Sequence, residues 1–217
     1  MVTRHVALQN LQKYIGQFLA DYAEKFSITI FSNSHLNKGW KGQVLERLAG
    51  LEGGNEQAPN GLGFELKSIA FKKNKNGTIA PKETMAITMI NPKELINIPF
   101  FKSHCWEKLK SLIICAVMWY ENDKSRAKLL GISSFDMLED EKFIKEIEGD
   151  YELIRNKLIN NGFESLTGKD GKWIQARTKG AGGINPNTGE KRPITRAFYA
   201  RKCLIKKVFG DDFLKNL

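Results

Sequence analysis

The sequence predicts an α/β fold, a mixed central sheet flanked by helices. Three features predict it. Residues 63–71 and 84–90 read as strands on either side of "NKNGT" (74–78), whose Asn-Gly pair marks a tight hairpin turn. The apolar run "LIICAVMWY" (112–120) has the length of a buried strand. Helix-period segments precede, separate and follow these runs, which gives the order αα-ββ-αβ-α-β-α.

Each element has its own signal. Residues 5–26 carry Val6, Leu8, Leu11, Tyr14, Ile15, Phe18, Leu19 and Tyr22 near helical spacing and read as one amphipathic helix. The turn-rich "SNSHLNKGWKG" (32–42) leads into a short helix at 43–51, ended by glycines. After the two strands, "FFKSHCWEKLKS" (100–111) suits a helix that feeds the buried strand. Residues 138–160 place Phe143, Ile144, Ile147, Tyr151, Ile154 and Leu158 on one side of a long helix. A further strand is expected at 173–177, and "GAGGINPNTGEKRPITR" (180–196) reads as a loop. The basic segment at 197–209 reads as a last helix. With no repeat and no low-complexity linker, residues 1–217 are expected to form one domain.

Composition narrows the classes. A chain of 217 residues, 41% hydrophobic and 27% charged, is long enough for an ample core. No apolar run reaches the ~18 residues of a membrane span, and the first thirty residues lack a signal-peptide core, so a cytoplasmic protein is expected. Cys105, Cys115 and Cys203 are odd in number and far apart, which implies no disulfide framework. Together with His5, His35 and His104 they form no zinc-ligand spacing. His104 and Cys105 are adjacent, and adjacent residues on a helix point to different faces, which argues against a Cys–His catalytic pair.

The net charge of +10 is unevenly spread. Residues 168–217 hold twelve Lys or Arg against four Asp or Glu, whereas "EDEKFIKEIEGDYE" (139–152) holds seven acids and two lysines. A basic excess this local suits a polyanion, and nucleic acid is the commonest one.

"GFELKSI" (63–69) carries the chemistry. Period-two alternation sends Phe64 and Leu66 to one face of the strand and Glu65 and Lys67 to the other. In metal-dependent phosphodiester hydrolysis such a carboxylate ligates the cation, and the lysine orients or deprotonates the attacking water. On the tripeptide alone, a solvated strand face is the commoner meaning of Glu-x-Lys.

Context changes that balance. The ordered set "KGWKGQVLERLAG", "GLGFELKSI", "ETMAITMI", "WEKLKSLI", "QARTKGAG" and "RAFYARK" resembles the MutH family from about Lys38 to Phe209. That family comprises the methyl-directed mismatch-repair endonuclease and related restriction enzymes that cut at GATC. The resemblance implies a restriction-endonuclease-like fold with two lobes around a DNA cleft. The catalytic strand would lie in an N-terminal lobe at about 38–120 and the basic DNA-contacting part at about 168–217.

The resemblance also implies roles. Glu65 matches the metal-binding glutamate, Lys67 the catalytic lysine, and Glu46 the acidic residue of the preceding helix. Lys108 resembles a lysine near the scissile phosphate. Arg177 and Lys179 look like the family's DNA-contacting segment, and Tyr199 like an aromatic near the methylatable adenine. Lys191, Arg192, Arg196, Arg201 and Lys202 are expected to face DNA phosphates on charge and position.

The family aspartate is the departure. Seven residues before Glu65 stands Ala58, and the nearest Pro-Asp look-alike is Pro59-Asn60, which makes Asn60 the candidate third ligand beside Glu65 and Glu46. Asn keeps one oxygen donor but removes a charge from a site for a hard cation. The resemblance thus implies a Mg²⁺-dependent endonuclease (or one using another divalent metal) on double-stranded DNA. A restriction enzyme at GATC or a similar short site is the first expectation, acting as a monomer or transient dimer. A mismatch-repair nicking enzyme with a repair partner is the alternative. A catalytically dead DNA-binding module, inactivated at Asn60, is the second alternative.

Overall fold

The computed structural model describes residues 2–52, 61–180, 183–184, 188–190 and 193–217. In chain order its elements are α1 (Arg4–Gln12), α2 (Ala20–Lys25), β1 (Phe31–Ser32), β2 (His35–Leu36) and α3 (Trp40–Ala49). There follow β3 (Glu65–Lys73), β4 (Ile79–Pro81), β5 (Met85–Met89), α4 (Pro92–Asn97), α5 (His104–Leu109) and β6 (Ser111–Trp119). The chain continues through β7 (Ala127–Asp136), α6 (Glu141–Asn161), β8 (Ile174–Thr178), β9 (Arg196–Ala200), α7 (Lys202–Phe209) and α8 (Asp211–Lys215). The predicted α/β class is observed. The elements divide into two compact units that interleave along the chain.

The first unit comprises Met1–Glu83, Lys110–Asp136 and Ile205–Leu217. Its four-stranded sheet has the order β4-β3-β6-β7 and is mixed, with β3 parallel to β6 and the outer pairs antiparallel. Leu112 to Val117 of β6 are all buried, as expected of a strand covered on both faces. One face of the sheet, with Leu66, Ile113, Cys115 and Val117, packs against Ala7 and Leu11 of α1 and Trp40, Val44, Leu45 and Leu48 of α3. On the other face Phe71 meets Phe209 of α7 edge-to-face at 5.3 Å. α3 stops where glycines were expected to stop it, with Gly50 in the left-handed region (φ 82°) that a side chain would resist.

The second unit comprises Thr84–Leu109 and Met137–Leu204. Its sheet has the order β5-β9-β8, antiparallel throughout. The long helix is present as α6, capped by Asp140, which accepts from Phe143 N at 2.9 Å. Its apolar side holds Tyr151, which stacks on Phe198 of β9 at 5.4 Å. Asp150 is buried on the same helix and accepts from the backbone N–H groups of Lys172, Trp173 and Ile174 at 2.7, 2.5 and 2.9 Å. That carboxylate therefore fixes the entry to β8.

Four expectations are corrected. The N-terminal helix is broken between α1 and α2, because Gly16 N and Leu19 N donate to Leu129 O and Ala127 O and so line the outer edge of β7. The Asn-Gly turn is a hairpin turn, but its return strand is β4, which makes three residue pairs with β3. The ladder extends past Pro81 through Lys82 N, which donates to Ala70 O at 2.8 Å, and β5 pairs instead with β9. The segment 196–200 is a strand rather than part of a last helix, with Ala197, Phe198 and Ala200 buried between β5 and β8. Helix 100–111 is shorter than expected: Phe100–Lys102 is a 3-10 turn, and Ser103 Oγ accepts from Trp106 N to start α5. In addition β7 exists where no strand was expected.

Among the described residues no helix is long and apolar enough to cross a membrane. The Asp150 hub makes a direct prediction for stability. Asp150→Ala leaves three N–H groups without their acceptor and should lower the unfolding free energy by about 3 kcal/mol, whereas Asp150→Asn should lose roughly half as much. Urea denaturation of the two variants measures this.

Candidate active site

β3 begins at Glu65, and its alternation is as the sequence predicts. Phe64 and Leu66 join the core under α3, while Glu65 and Lys67 share the opposite face. In the parallel register Glu65 lies beside Leu112 and Lys67 beside Ile114, so both charges stand among apolar neighbours. Glu65 is 1% exposed and Lys67 23%, and Lys67 Nζ lies 2.5 Å from Glu65 Oε1. A solvated strand face is therefore not what this Glu-x-Lys is. A buried carboxylate with an ammonium in contact is a costly arrangement that a merely structural strand does not need.

The other candidates fall as follows. Glu46 is half-buried on α3, the helix whose apolar side packs on the Leu66 face of β3. Lys108 is half-buried on α5, in the second unit. Asn60, Lys191 and Arg192 lie outside the described residues. The hard carboxylate oxygens of Glu65 suit a divalent cation such as Mg²⁺. Among the described residues no group of three His, Cys, Asp or Glu side chains could hold a metal ion. Of the candidate ligands, Glu65 and Glu46 are the ones among the described residues, and both offer the carboxylate oxygens that a hard cation takes.

In the second unit, Arg177 and Tyr199 meet on one sheet face. The Arg177 guanidinium lies 5.3 Å from the Tyr199 ring, and its Nη1 donates to Thr84 Oγ1 at 2.7 Å. Lys179 is exposed just beyond β8, where its N–H donates to Thr195 O at 2.8 Å and its carbonyl accepts from the Thr195 hydroxyl. Lys202 is exposed at the start of α7.

Two arginines turn inward instead. Arg196 is 6% exposed; its Nε donates to Leu166 O at 2.9 Å and its Nη2 to Glu164 O at 3.0 Å, beside the Phe163 ring. The phosphate contact expected of Arg196 is corrected accordingly, because the side chain is buried, bonded to these carbonyls and paired with the Glu164 carboxylate at 3.5 Å. Arg201 is half-buried and donates to Gly168 O and Asp170 O at 2.9 and 3.2 Å.

Two of the three cysteines, Cys105 and Cys115, are buried. Burial pushes the Cys115 thiol up to about 12 and raises that of Cys105 further. Sequence reasoning overlooked Thr84, which no spacing rule connects to Arg177. It also overlooked Lys41 on α3, whose amine burial holds below the usual lysine range, with Glu83 opposing that shift and Lys82 adding to it.

The pair itself can be tested without any assay of activity. Lys67→Met removes the ammonium from a carboxylate that stays buried and should destabilise the fold by roughly 3 kcal/mol. Glu65→Gln, which removes the buried charge, should cost less; thermal and urea unfolding compare the two.

A family model described as DNA mismatch repair enzyme MutH matches residues 52–144, a stretch that includes β3 and β6. A DNA mismatch repair protein MutH of Haemophilus influenzae is 26% identical, over 94% of this chain and 94% of its own. The protein of that name from Pectobacterium atrosepticum is also 26% identical, over 96% and 91%. A solved restriction endonuclease MvaI–cognate DNA substrate complex covers 96% of this chain and 97% of its own at 12% identity and a TM-score of 0.42, a distant likeness. With the matched region including the strand that carries Glu65 and Lys67, and with relatives aligned along nearly its full length, the chain is similar to the MutH family.

Proposed function

We propose that this protein is a sequence-specific endonuclease of double-stranded DNA that hydrolyses phosphodiester bonds with a divalent metal, in the manner of a type II restriction enzyme at GATC or a similar short site. The observation that carries the proposal is the buried Glu65–Lys67 contact on β3. Both units would serve the one activity.

Glu65 would hold the cation, Mg²⁺ or another divalent ion, with Asn60 and Glu46 as the further ligands. When bound, such a cation polarises the scissile phosphate and stabilises the charge that develops on it. Lys67, held at Glu65 Oε1, would orient the attacking water as the ammonium, or take up its proton at Nζ as the neutral amine. Lys108 would meet the scissile phosphate. Arg177, Lys179, Tyr199 and Lys202 would face the duplex, together with Lys191 and Arg192; Arg201 would serve through the loop it braces. Lysine contacts to phosphate would supply affinity and salt dependence, and groups reaching base edges would supply sequence choice.

A second reading is favoured by the relatives. Those that align along more than nine-tenths of the chain bear the name of a DNA mismatch repair protein. On that reading the chain nicks one strand, directed by methylation and activated by a repair partner. A binding module that lost its metal site at Asn60 is the third reading.

One set of cleavage assays separates the three. Plasmid and short duplexes carrying GATC, unmethylated, hemimethylated and fully methylated, are incubated with Mg²⁺ and the wild type, Glu65→Ala, Lys67→Ala or Asn60→Asp. Linear product from the wild type supports the restriction reading, and a nick in the unmethylated strand the repair reading. Each alanine variant should lose at least ~100-fold in rate while still binding DNA. Cleavage by Asn60→Asp alone would mark Asn60 as inactivating, and binding without cleavage by either chain would favour the binding module. Alanine variants that cut as fast as the wild type would defeat the site assignment.

A further inference from the structure

Arg177 is held from three sides, and two of the residues that hold it, Thr84 and Gly168, have none of the roles above. The three strands of the second unit set up the arrangement. In the antiparallel register Tyr199 of β9 pairs with Gln175 on one side and Ala86 on the other, so Arg177, two residues from Gln175, shares its face. Thr84 stands two residues before Ala86, at the start of β5. The Arg177 side chain therefore runs from β8 across the Tyr199 ring of β9, at 5.3 Å, and ends on the Thr84 hydroxyl at 2.7 Å.

The third side is Gly168. A Cβ built there would stand 3.3 Å from Arg177 Cγ and 3.7 Å from Cδ, so the stem of the arginine lies directly against a backbone that has no side chain. That backbone is itself fixed, because Arg201 Nη2 donates to Gly168 O at 2.9 Å. Gly168 is not among the glycines with left-handed backbone, so its lack of a side chain matters for the space it leaves rather than for its conformation.

An arginine has five N–H donors in a planar fork, and the Thr84 contact uses one of them. The arginine remains exposed, so the rest of the fork is open to a ligand. A long side chain held in one rotamer loses less entropy on binding than a free one. We propose that Thr84 and Gly168 are positioning residues for Arg177, which with the Tyr199 ring present its guanidinium in a fixed orientation to a pair of acceptor oxygens or nitrogens on DNA. This rests on the DNA-binding reading above. The acceptor pair is either a base edge or a phosphate, and the two differ in their consequence for sequence choice.

Equilibrium binding tests the proposal, read by fluorescence anisotropy without divalent metal on a GATC duplex and a scrambled duplex over a range of salt. Thr84→Val, close in shape but without the hydroxyl, should weaken binding of the GATC duplex roughly tenfold, and Thr84→Ser should restore it. Gly168→Ala should weaken it in the same direction. In an Arg177→Ala background neither substitution should cost more than about twofold, since the residue they position is gone. Because Thr84→Val removes no charge, the dependence of its affinity on salt should match that of the wild type. A loss confined to the GATC duplex identifies a base edge, and an equal loss on both duplexes a phosphate.

Three results overturn the positioning role: no loss in Thr84→Val, an undiminished loss in the Arg177→Ala background, or a loss that tracks a lowered melting temperature. A wild type that binds neither duplex would overturn the DNA-binding reading itself, and the positioning role with it.

Discussion

The structure turns on a carboxylate kept out of water. Glu65 opens β3 with its side chain buried between apolar residues of a mixed sheet, and the Lys67 ammonium lies 2.5 Å away. Replacing such a pair by apolar side chains of similar size is often neutral or stabilising. The sheet around it could have been built from Leu and Ile at these positions, as β6 is. A strand that instead keeps a buried charge and a lysine on the same face is what the proposed function calls for, and the elements around it hold that face in place.

That service can be traced outward. β6 supplies the parallel neighbour that fixes the height of Glu65 and Lys67. α1 and α3 cover the far face and leave the charged face to other cover. The Phe71–Phe209 contact brings α7 onto the end of the strand away from Glu65. In the second unit the same logic supports binding groups, since Asp150 ties the entry of β8 to α6 and β8 then delivers Arg177. Strands and helices thus carry Glu46, Glu65, Lys67, Lys108 and Arg177 among the charged groups the proposed function uses.

Much of this was legible in the sequence, for physical reasons. The facing of Glu65 and Lys67 follows from the two-residue period of a strand, which no tertiary contact can alter. The turn at 74–78 and the stop of α3 are local, written in Asn-Gly and in Gly50. What stayed hidden depends on distant partners. β5 was mistaken for the return strand because its true partner, β9, lies more than one hundred residues along the chain. β9 was read as helix because five residues carry too little periodicity to decide. The break after α1 reflects hydrogen bonds to Ala127 and Leu129. Arg196 looked like a phosphate contact because nothing in a list of basic residues reveals the carbonyls of Glu164 and Leu166.

The account's central claim is that the Glu65–Lys67 pair serves catalysis and not the fold. The most direct test replaces both charges at once, with Glu65→Leu and Lys67→Met in one chain, and measures unfolding free energy and DNA cleavage on the same preparation. The account predicts a protein at least as stable as the wild type, since an apolar pair replaces a buried ion pair, with cleavage abolished. A double variant that still cuts, or that fails to fold, would contradict it.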